Sequence, residues 1–178
     1  LSLQSCQKIC VRTSLIVSMS FAEMAENLIE ILDCDTALSI TADWPDVYYS
    51  PFYGKASALM DGGEWMVARW AGGRIVFPFI KRRIPLELTA GADWFDVISP
   101  YGYSGTALAG NCPADEFSAF RSELVATLKQ KNCVAEFQRQ SSFVPGCDVM
   151  LSVLGENRLR HVANTLLIPL EGGHEQAF

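Results

Sequence analysis

Residues 64–81 read EWMVARWAGGRIVFPFIK, and this segment decides the fold. Two apolar runs, 64–70 and 74–81, flank an Ala-Gly-Gly segment at 71–73. Glycines between two such runs are typical of a tight turn, so we predict a β-hairpin. Pro78 has no N–H to donate to a neighbouring strand, and we therefore expect it at a sheet edge or a bulge.

Helix and strand patterns alternate on both sides of this hairpin. Helical spacing of apolar residues after a capping or proline signal predicts helices, and short apolar runs between turn residues predict strands. The predicted elements are helices over 21–32, 51–60 and 113–131, strands over 37–41, 94–99, 134–139 and 165–170, and a loop over 141–148. Their order indicates an α/β (α+β) fold, with a mixed sheet around a central β-hairpin and helices flanking it.

Two of the predicted helices carry an apolar face. In the helix over 51–60 this face consists of Phe52, Ala56 and Leu59. In the helix over 113–131 it consists of Phe117, Phe120, Leu124 and Leu128. An amphipathic helix usually turns such a face towards the core.

The composition describes one acidic domain with a low charge content. The chain has 178 residues, of which 49% are hydrophobic and 19% are charged. A soluble domain usually has about a quarter of its residues charged, and a missing partner is one explanation for the lower value. The formal net charge of −6 repels phosphate backbones, so we expect no DNA binding, although a local basic patch could hold one phosphorylated ligand.

The beginning of the chain differs from the rest. The apolar run 9–17 is interrupted by Arg12 and is too short to cross a bilayer, and no other segment is long enough. We therefore expect no membrane span, no signal peptide and a cytoplasmic location. Met19 precedes the first helix signal, so we interpret residues 1–18 as a tail or upstream read-through and residues 19–178 as one domain.

The cysteine pattern indicates thiols rather than a metal site. Six cysteines occur at irregular spacing without a CxxC pair, and the chain has two histidines, both near its end. A zinc site needs about four convergent ligands at recognisable spacing, so we expect no metal. The cysteines then are reduced and mostly buried, as is usual in a cytosolic protein.

Several segments together resemble one protein family. They are Tyr-Tyr-Ser-Pro-Phe-Tyr at 48–53, the hairpin at 64–81, Asp-Val-Ile-Ser-Pro-Tyr-Gly-Tyr-Ser-Gly at 96–105, Phe-Gln-Arg at 137–139 and the predicted strand within 164–170. In this order they resemble the N-terminal half of FemAB-like and BioF2-like acyltransferases of the GNAT superfamily, over about residues 36–175. The segment 96–105, similar to the family's SPYGYGG segment, is the specific part. The His-Pro or Asn that usually follows the strand at 137–139 is absent.

The resemblance implies a transferase that is incomplete in this chain. Family members usually have two GNAT-like halves, and their chemistry depends heavily on the second, which would begin where this chain stops. The glycine-rich loop (Q/R)-x-x-G-x-(G/A), which holds a cofactor pyrophosphate, does not occur. Acyl-CoA or aminoacyl-tRNA is expected for the full-length family, and no cofactor is expected for this chain, whose partner would be the missing C-terminal GNAT-like half.

The implied reaction is acyl or aminoacyl transfer to an amine, with this chain shaping the site for a small-molecule, sugar or peptide acceptor. The alternative is a non-catalytic GNAT-like binding or interaction module. In the first interpretation Tyr101, Gly102, Tyr103 and Gly105 line a pocket, because tyrosines offer flat faces with a hydroxyl and glycines allow close approach. The alternative for this loop is a buried turn that packs under the hairpin.

Three charged residues complete the candidate site. Asp96 could act as a base or orient a nucleophilic amine, or it could be a solvated carboxylate or the partner of Arg139. Lys81 begins the basic cluster 81–83, which could bind a diphosphate or carboxylate, or could be a solvated strand end that discourages edge pairing. Arg139 is expected to support the acceptor site. Ser104 lacks the Gly-x-Ser-x-Gly context of a hydrolase nucleophile.

Overall fold

A computed structural model describes residues 29–39, 46–108, 110–140 and 146–155. Within these ranges a mixed sheet of six strands carries helices on both faces, which confirms the predicted fold class. The strands are β1 (Glu30–Asp33), β2 (Glu64–Trp70), β3 (Ile75–Arg83), β4 (Phe95–Ile98), β5 (Ala107–Leu108) and β6 (Cys133–Phe137). The helices are α1 (Cys34–Ser39), α2 (Pro51–Asp61), α3 (Ala114–Gln130) and α4 (Cys147–Leu154).

The sheet is antiparallel except at one edge. Its strand order is β1-β2-β3-β4-β6, and β5 pairs with β3. β6 runs parallel to β4, because the chain returns through α3 on one face of the sheet before it enters β6. Parallel neighbours need such a crossover connection, and they bring the carboxyl ends of both strands to the same side.

The predicted hairpin is the centre of the sheet. β2 and β3 pair from Glu64 opposite Lys81 to Trp70 opposite Ile75. The turn between them is a single 3-10 turn, in which Gly72 and Gly73 have φ of 67° and 106°. Such positive φ angles favour glycine, which explains the Gly-Gly sequence at this turn.

Pro78 does not lie on an edge strand, so the first of the two predicted placements, an edge or a bulge, is wrong. β3 is an interior strand, and Pro78 faces Val67 of β2. On its other side β3 pairs with β5 up to Val76 and with β4 from Ile80 onwards. Pro78 thus lies between two short partners, where one missing N–H interrupts no continuous ladder.

Alternating residues of the hairpin build a core on each face. Phe77 and Phe79 of β3 pack with Phe117, Phe120 and Leu124 of α3. The opposite face contains a second cluster around α2, formed by Ala37, Tyr49, Ala58, Trp65, Val67, Val76, Ile80 and Ala107. The period-2 alternation of β3 therefore fixes both layers at once.

Helix α2 packs with its small residues inward. Ser50 caps its N-terminus, where its Oγ accepts a hydrogen bond from the N–H of Tyr53 at 3.3 Å, and Gly62 ends it in a left-handed conformation. Pro51, Gly54, Ser57 and Ala58 are its buried residues. Phe52, Ala56, Leu59 and Met60 point away from the sheet and are exposed. The predicted helix is confirmed, but its large apolar face does not contribute to the core.

Other predicted elements agree to different degrees. The helix over 113–131 and the strands over 94–99 and 134–139 match α3, β4 and β6 within two residues at each end. Residues 30–32, predicted as the end of a helix, form β1, because they pair with β2. The predicted strand over 37–41 is wrong for residues 37–39, which belong to α1, where Asp33 accepts a hydrogen bond from the N–H of Thr36 at 2.8 Å, and residues 40 and 41 lie outside the described residues.

The predicted loop over 141–148 ends earlier than expected, because α4 begins at Cys147. Residues 21–28, 141–145 and the predicted strand over 165–170 lie outside the described residues, as do residues 1–18 and most of the chain end. Among the helices that the structure describes, none is long and apolar enough to cross a membrane.

Candidate functional site

Strand β4 separates the predicted site residues into two groups. Lys81 and Asp96 lie near the beginning of β4, on β3 and on β4 itself. The loop at 101–105 follows the end of β4, and Arg139 follows the end of β6. Because β4 and β6 are parallel, the structure brings the loop and Arg139 together and leaves Lys81 and Asp96 apart from them.

Asp96 is the partner of Arg82, and the alternative partner Arg139 is therefore wrong. Arg82 lies directly opposite Asp96 on β3, with Nε to Oδ1 at 2.9 Å and Nη2 to Oδ2 at 2.6 Å. The hydrogen bonds to Asp96 raise the pKa of the Arg82 guanidinium. Since both oxygens of Asp96 already accept hydrogen bonds, this geometry supports strand pairing more directly than proton transfer.

An open cleft of about 460 Å³ lies beside this pair, lined by Gly62, Gly63, Glu64, Lys81, Arg83, Asp93 and Phe95. Its two cationic side chains are already engaged. Lys81 Nζ lies 3.9 Å above the centre of the Phe95 ring. Arg83 Nε lies 2.8 Å from Asp93 Oδ1. With two carboxylates in its wall and its cations occupied, the cleft offers little net attraction to a diphosphate.

A second surface, which we call the aromatic surface, consists of Tyr48, Tyr53, Tyr101, Tyr103, Phe137 and Arg139. Tyr101, Phe137 and Tyr103 are exposed, with 70%, 57% and 41% of their areas accessible. The alternative that the tyrosines form a buried turn is therefore wrong. Exposed aromatic side chains grouped in this way are typical of binding surfaces rather than of folding cores.

The tyrosines hold one another in fixed orientations. The Tyr48 ring meets Tyr53 edge to face at 5.0 Å between centroids and Tyr103 at 6.3 Å. Tyr53 Oη donates a hydrogen bond to the Tyr101 carbonyl at 3.0 Å, and burial raises the pKa of Tyr53, which keeps this donor protonated. These contacts join the beginning of α2 to the loop after β4, and with Phe137 and Arg139 at the end of β6 three distant segments build the aromatic surface.

Two of the predicted glycines position this loop through contacts within the chain. Gly102 has a φ of 92°, and a Cβ there would lie 2.6 Å from Cε1 of Tyr48. A Cβ at Gly105 would lie 2.8 Å from the Arg139 carbonyl oxygen. Both positions therefore exclude larger side chains, and the glycines serve the aromatic surface by bringing the loop against Tyr48 and Arg139.

Hydrogen bonds connect the loop to the chain after β6. Ser99 N–H donates to the Phe137 carbonyl at 2.9 Å, and Ser99 Oγ accepts from Arg139 N–H at 2.9 Å. Gln138 Oε1 accepts from both the N–H and the hydroxyl of Thr106, at 3.1 and 2.8 Å. The backbone that carries Phe137 and Arg139 is thereby fixed relative to the tyrosine loop.

A mostly buried ion pair between α3 and β6 supports this network. Arg121 of α3 donates to Glu136 of β6 through Nη1 at 2.7 Å and Nη2 at 2.9 Å. Glu136 also accepts a hydrogen bond from Gln138, and Gln140 donates to the Thr106 carbonyl at 2.7 Å. The polar side chains at 136, 138 and 140 thus all belong to one network that ends at the loop.

Arg139 differs from the other arginines that the structure describes. Arg69, Arg74, Arg82, Arg83 and Arg121 each form an ion pair with a carboxylate, at 3.4, 2.8, 2.6, 2.8 and 2.7 Å respectively. Arg139 has no carboxylate partner among the described residues, and its guanidinium carbon lies 5.7 Å from the Tyr101 ring centre and 6.0 Å from that of Phe137. Its side chain is exposed, so its N–H donors remain available to a ligand.

The sequence analysis did not assign Tyr48, Phe137, Ser99 or Gln138 to the site. The contribution of Phe137, Ser99 and Gln138 depends on the pairing of β4 with β6, which no local pattern reveals. Ser104, by contrast, is fully buried and donates to the Pro100 carbonyl at 2.8 Å, in agreement with a structural role. Tyr48 had one detectable signal, since Tyr48, Tyr49 and Tyr53 are closely spaced in the sequence.

Cys34, Cys112 and Cys133 are free thiols. Cys112 and Cys133 are buried, as predicted, and burial raises the pKa of both thiols, which keeps them protonated at neutral pH. Cys34 is partly buried, and its pKa is raised for the same reason. Within the described part of the chain no three histidine, cysteine or acidic side chains are grouped so that they could hold a metal ion.

Comparisons with known proteins identify no relative of this chain. No protein-family model, no curated protein and no solved structure matches it. The resemblance to FemAB-like acyltransferases therefore stays a prediction, and a function has to be argued from the two surfaces described above.

Proposed function

We propose that this chain shapes the acceptor-substrate site of an acyl- or aminoacyl-transferase, and that the acceptor binds on the aromatic surface. The observation that carries this proposal is Arg139, whose guanidinium carbon lies 5.7 Å from the Tyr101 ring centre and 6.0 Å from that of Phe137, and which has no carboxylate partner among the described residues. Exposed rings beside an available guanidinium provide stacking and hydrogen bonding at one place. The resemblance of the segment 96–105 to the family's tyrosine–glycine segment supports the transferase part of the proposal.

In this proposal the chain contributes positioning rather than proton transfer. Asp96 is occupied by Arg82, and it lies near the beginning of β4, whereas the tyrosine loop follows the end of that strand. The rings of Tyr101 and Tyr103 would orient the acceptor amine, and a well-oriented amine reacts far faster than one in free solution. The acceptor class remains a small molecule, a sugar or a peptide, each of which can stack on tyrosine.

The proposal does not assign an acyl-CoA or aminoacyl-tRNA donor to the 81–83 cluster. The cations of the 81–83 cluster are held by Phe95, Asp96 and Asp93, and the sequence has no glycine-rich pyrophosphate loop. The donor is therefore assigned to no residue of this chain. The proposal places it on a second GNAT-like half.

The first prediction concerns Tyr103. Replacing it by alanine is expected to weaken binding of an amine acceptor by about fivefold, because one aromatic contact contributes roughly 1 kcal/mol. The measurement is calorimetric titration of the chain with amino sugars, amino acid amides and short peptides. Leu88→Ala is the matched control, since Leu88 is 76% exposed and lies on a single turn, Leu86–Leu88, away from the aromatic surface. Equal affinities of the Tyr103 variant and the wild type, or no binding of any acceptor, would contradict the proposal.

One observation favours a second candidate, a non-catalytic GNAT-like interaction module. Phe52, Ala56, Leu59 and Met60 form an apolar stripe along the outer side of α2, and Leu59 and Met60 are 81% and 86% exposed. A contiguous apolar stripe on a surface helix is typical of a docking surface. In this candidate the stripe packs against a second GNAT-like domain, which the family resemblance implies.

The second prediction tests that stripe. The isolated chain is expected to self-associate with rising concentration and to bind a hydrophobic dye, because none of the described residues covers the stripe. Leu59→Glu should suppress both effects in light-scattering and dye-fluorescence measurements. Leu88→Glu is the control, because it adds the same charge at a similarly exposed leucine outside the stripe. A monodisperse wild type, or equal effects of the two substitutions, would remove this candidate.

A further inference from the structure

We infer that the ligand of the aromatic surface carries an oxyanion, a carboxylate or a phosphate, which Arg139 binds while Tyr101 and Phe137 hold an adjacent flat apolar group. This inference rests on the proposed function in one respect, namely that a ligand occupies the aromatic surface. It adds the chemical class of that ligand, which neither the sequence nor the family resemblance specifies.

The Arg139 side chain is exposed, and the contacts of its guanidinium among the described residues are with aromatic rings. A guanidinium is planar and carries five N–H donors in its own plane, whereas its two faces can stack on aromatic rings. Tyr101 and Phe137 both lie within 6.0 Å of its central carbon. Because the rings interact with the guanidinium itself and no described side chain accepts its hydrogen bonds, the N–H edge remains for a ligand. Two parallel N–H···O bonds from such an edge match a carboxylate or a phosphate.

The Arg139 backbone is also fixed before any ligand arrives. Its N–H donates to Ser99 Oγ at 2.9 Å, and the neighbouring Gln138 and Gln140 are both bound to Thr106. A prepositioned arginine loses less conformational freedom on binding than a free surface arginine does. Arg139 differs in this respect from a surface arginine whose backbone is not held by such hydrogen bonds.

The local charge favours an anion even though the chain is acidic. The carboxylates carried by β4 and β6 are Asp96 and Glu136, and each is paired with a different arginine, Arg82 or Arg121. Among the residues that the structure describes, Arg139 is consequently a positive charge without an ion-pair partner at the carboxyl ends of β4 and β6. The overall charge of −6 still repels anions at long range, so an anion without an apolar group should bind weakly.

The third prediction follows from these contacts. In calorimetric titrations at low salt, phenyl phosphate or benzoate is expected to bind at least about tenfold more tightly than benzyl alcohol, since a charge-assisted bidentate contact is the stronger kind of hydrogen bond. Inorganic phosphate should bind more weakly than phenyl phosphate, because it lacks the ring. Phenyl phosphate and benzoate separate the two oxyanions, and the tighter of the two identifies the preferred group.

Substitution of Arg139 assigns the effect to this residue. Arg139→Gln should remove the advantage of the anions over benzyl alcohol, and Arg139→Lys should retain only part of it, because lysine lacks the planar fork. Arg83→Gln is the control, since Arg83 is an exposed arginine of the same size that is paired with Asp93. Circular dichroism of each variant checks that the fold is retained. Benzyl alcohol binding as tightly as the anions, or anion affinity unchanged in Arg139→Gln, would overturn the inference.

The outcomes also separate this inference from the proposed function. If amine acceptors bind through Tyr103 and Arg139→Gln has no effect, the oxyanion inference fails and the acceptor site stands. If the anions bind through Arg139 and no amine acceptor binds, the oxyanion site stands and the acceptor proposal fails.

Discussion

Replacing Gly54 by alanine is expected to lower the free energy of unfolding by about 3 kcal/mol, because overpacking a tight contact usually costs this much. Gly54 lies in the middle of α2, and a Cβ at this position would overlap the indole ring of Trp65, which is itself buried. Helix propensity alone predicts the opposite sign, a gain of about 1 kcal/mol for glycine to alanine. The measurement is equilibrium unfolding by urea.

Gly72→Ala is the matched control for this variant. A Cβ at Gly72 would have no atom within 4 Å, so only the positive φ of 67° makes alanine unfavourable at this position. We expect a loss of about 1 kcal/mol there, which comes from backbone conformation and not from a clash. If Gly54→Ala were more stable than the wild type, α2 could not pack on the sheet in the way described, and the exposed stripe would lose its basis.

The second large effect is expected at Glu136. Glu136→Ala should destabilise the chain by about 3 kcal/mol, since removing one partner of a mostly buried ion pair leaves the other charge without compensation. The side chains of Arg121 and Glu136 are only 15% and 19% exposed. Glu136 also accepts from Gln138, which binds Thr106, so the amide of Thr106 should exchange its hydrogen faster in the variant.

Asp93→Ala provides the comparison for an exposed pair. The Arg83 and Asp93 side chains are 58% and 56% exposed, and removing a surface ion pair of this kind changes stability by about 0.5 kcal/mol or less. Denaturant unfolding and hydrogen exchange of both variants test the difference. Similar losses in the two variants, or unchanged exchange at Thr106 in Glu136→Ala, would show that the network does not support the loop.

The hairpin shows how much of the fold could be predicted from local sequence. Both of its strands and its glycine turn are short-range patterns, and the structure places them at the centre of the sheet. Residues 30–32 of β1 were predicted as the end of a helix. That prediction failed because β1 is stabilised by pairing with β2 and not by a local signal. Long-range pairing of this kind overrides local propensity.

Helix α2 illustrates a different limit. Its extent was predicted correctly, yet the apolar face formed by Phe52, Ala56 and Leu59 points outward. The close approach of Gly54 to Trp65 determines which face packs on the sheet, and small residues can satisfy this contact better than large ones. A periodicity argument assumes that the larger apolar side chains are buried, and that assumption does not hold for this helix.

The candidate site was predictable only in part. The tyrosine–glycine loop was identified from its composition together with the family resemblance, and the structure exposes its tyrosines. Arg139 lies near Tyr101 because β4 and β6 pair in parallel, and the two strands are separated in the sequence by a 17-residue helix. No sequence pattern within either segment indicates that relation, and for the same reason Asp96 was not paired with Arg82 in advance.

Binding of the acceptor on the aromatic surface can be mapped directly by NMR. Amide chemical shifts of the wild-type chain are followed while an amine that bears a carboxylate or a phosphate is added. We expect changes in chemical shift to be concentrated at residues 99–105 and 137–140, with the largest changes at Tyr101 and Arg139. Shifts concentrated instead at the cleft around Gly63, Lys81 and Asp93, or no shifts at either place, would contradict this expectation.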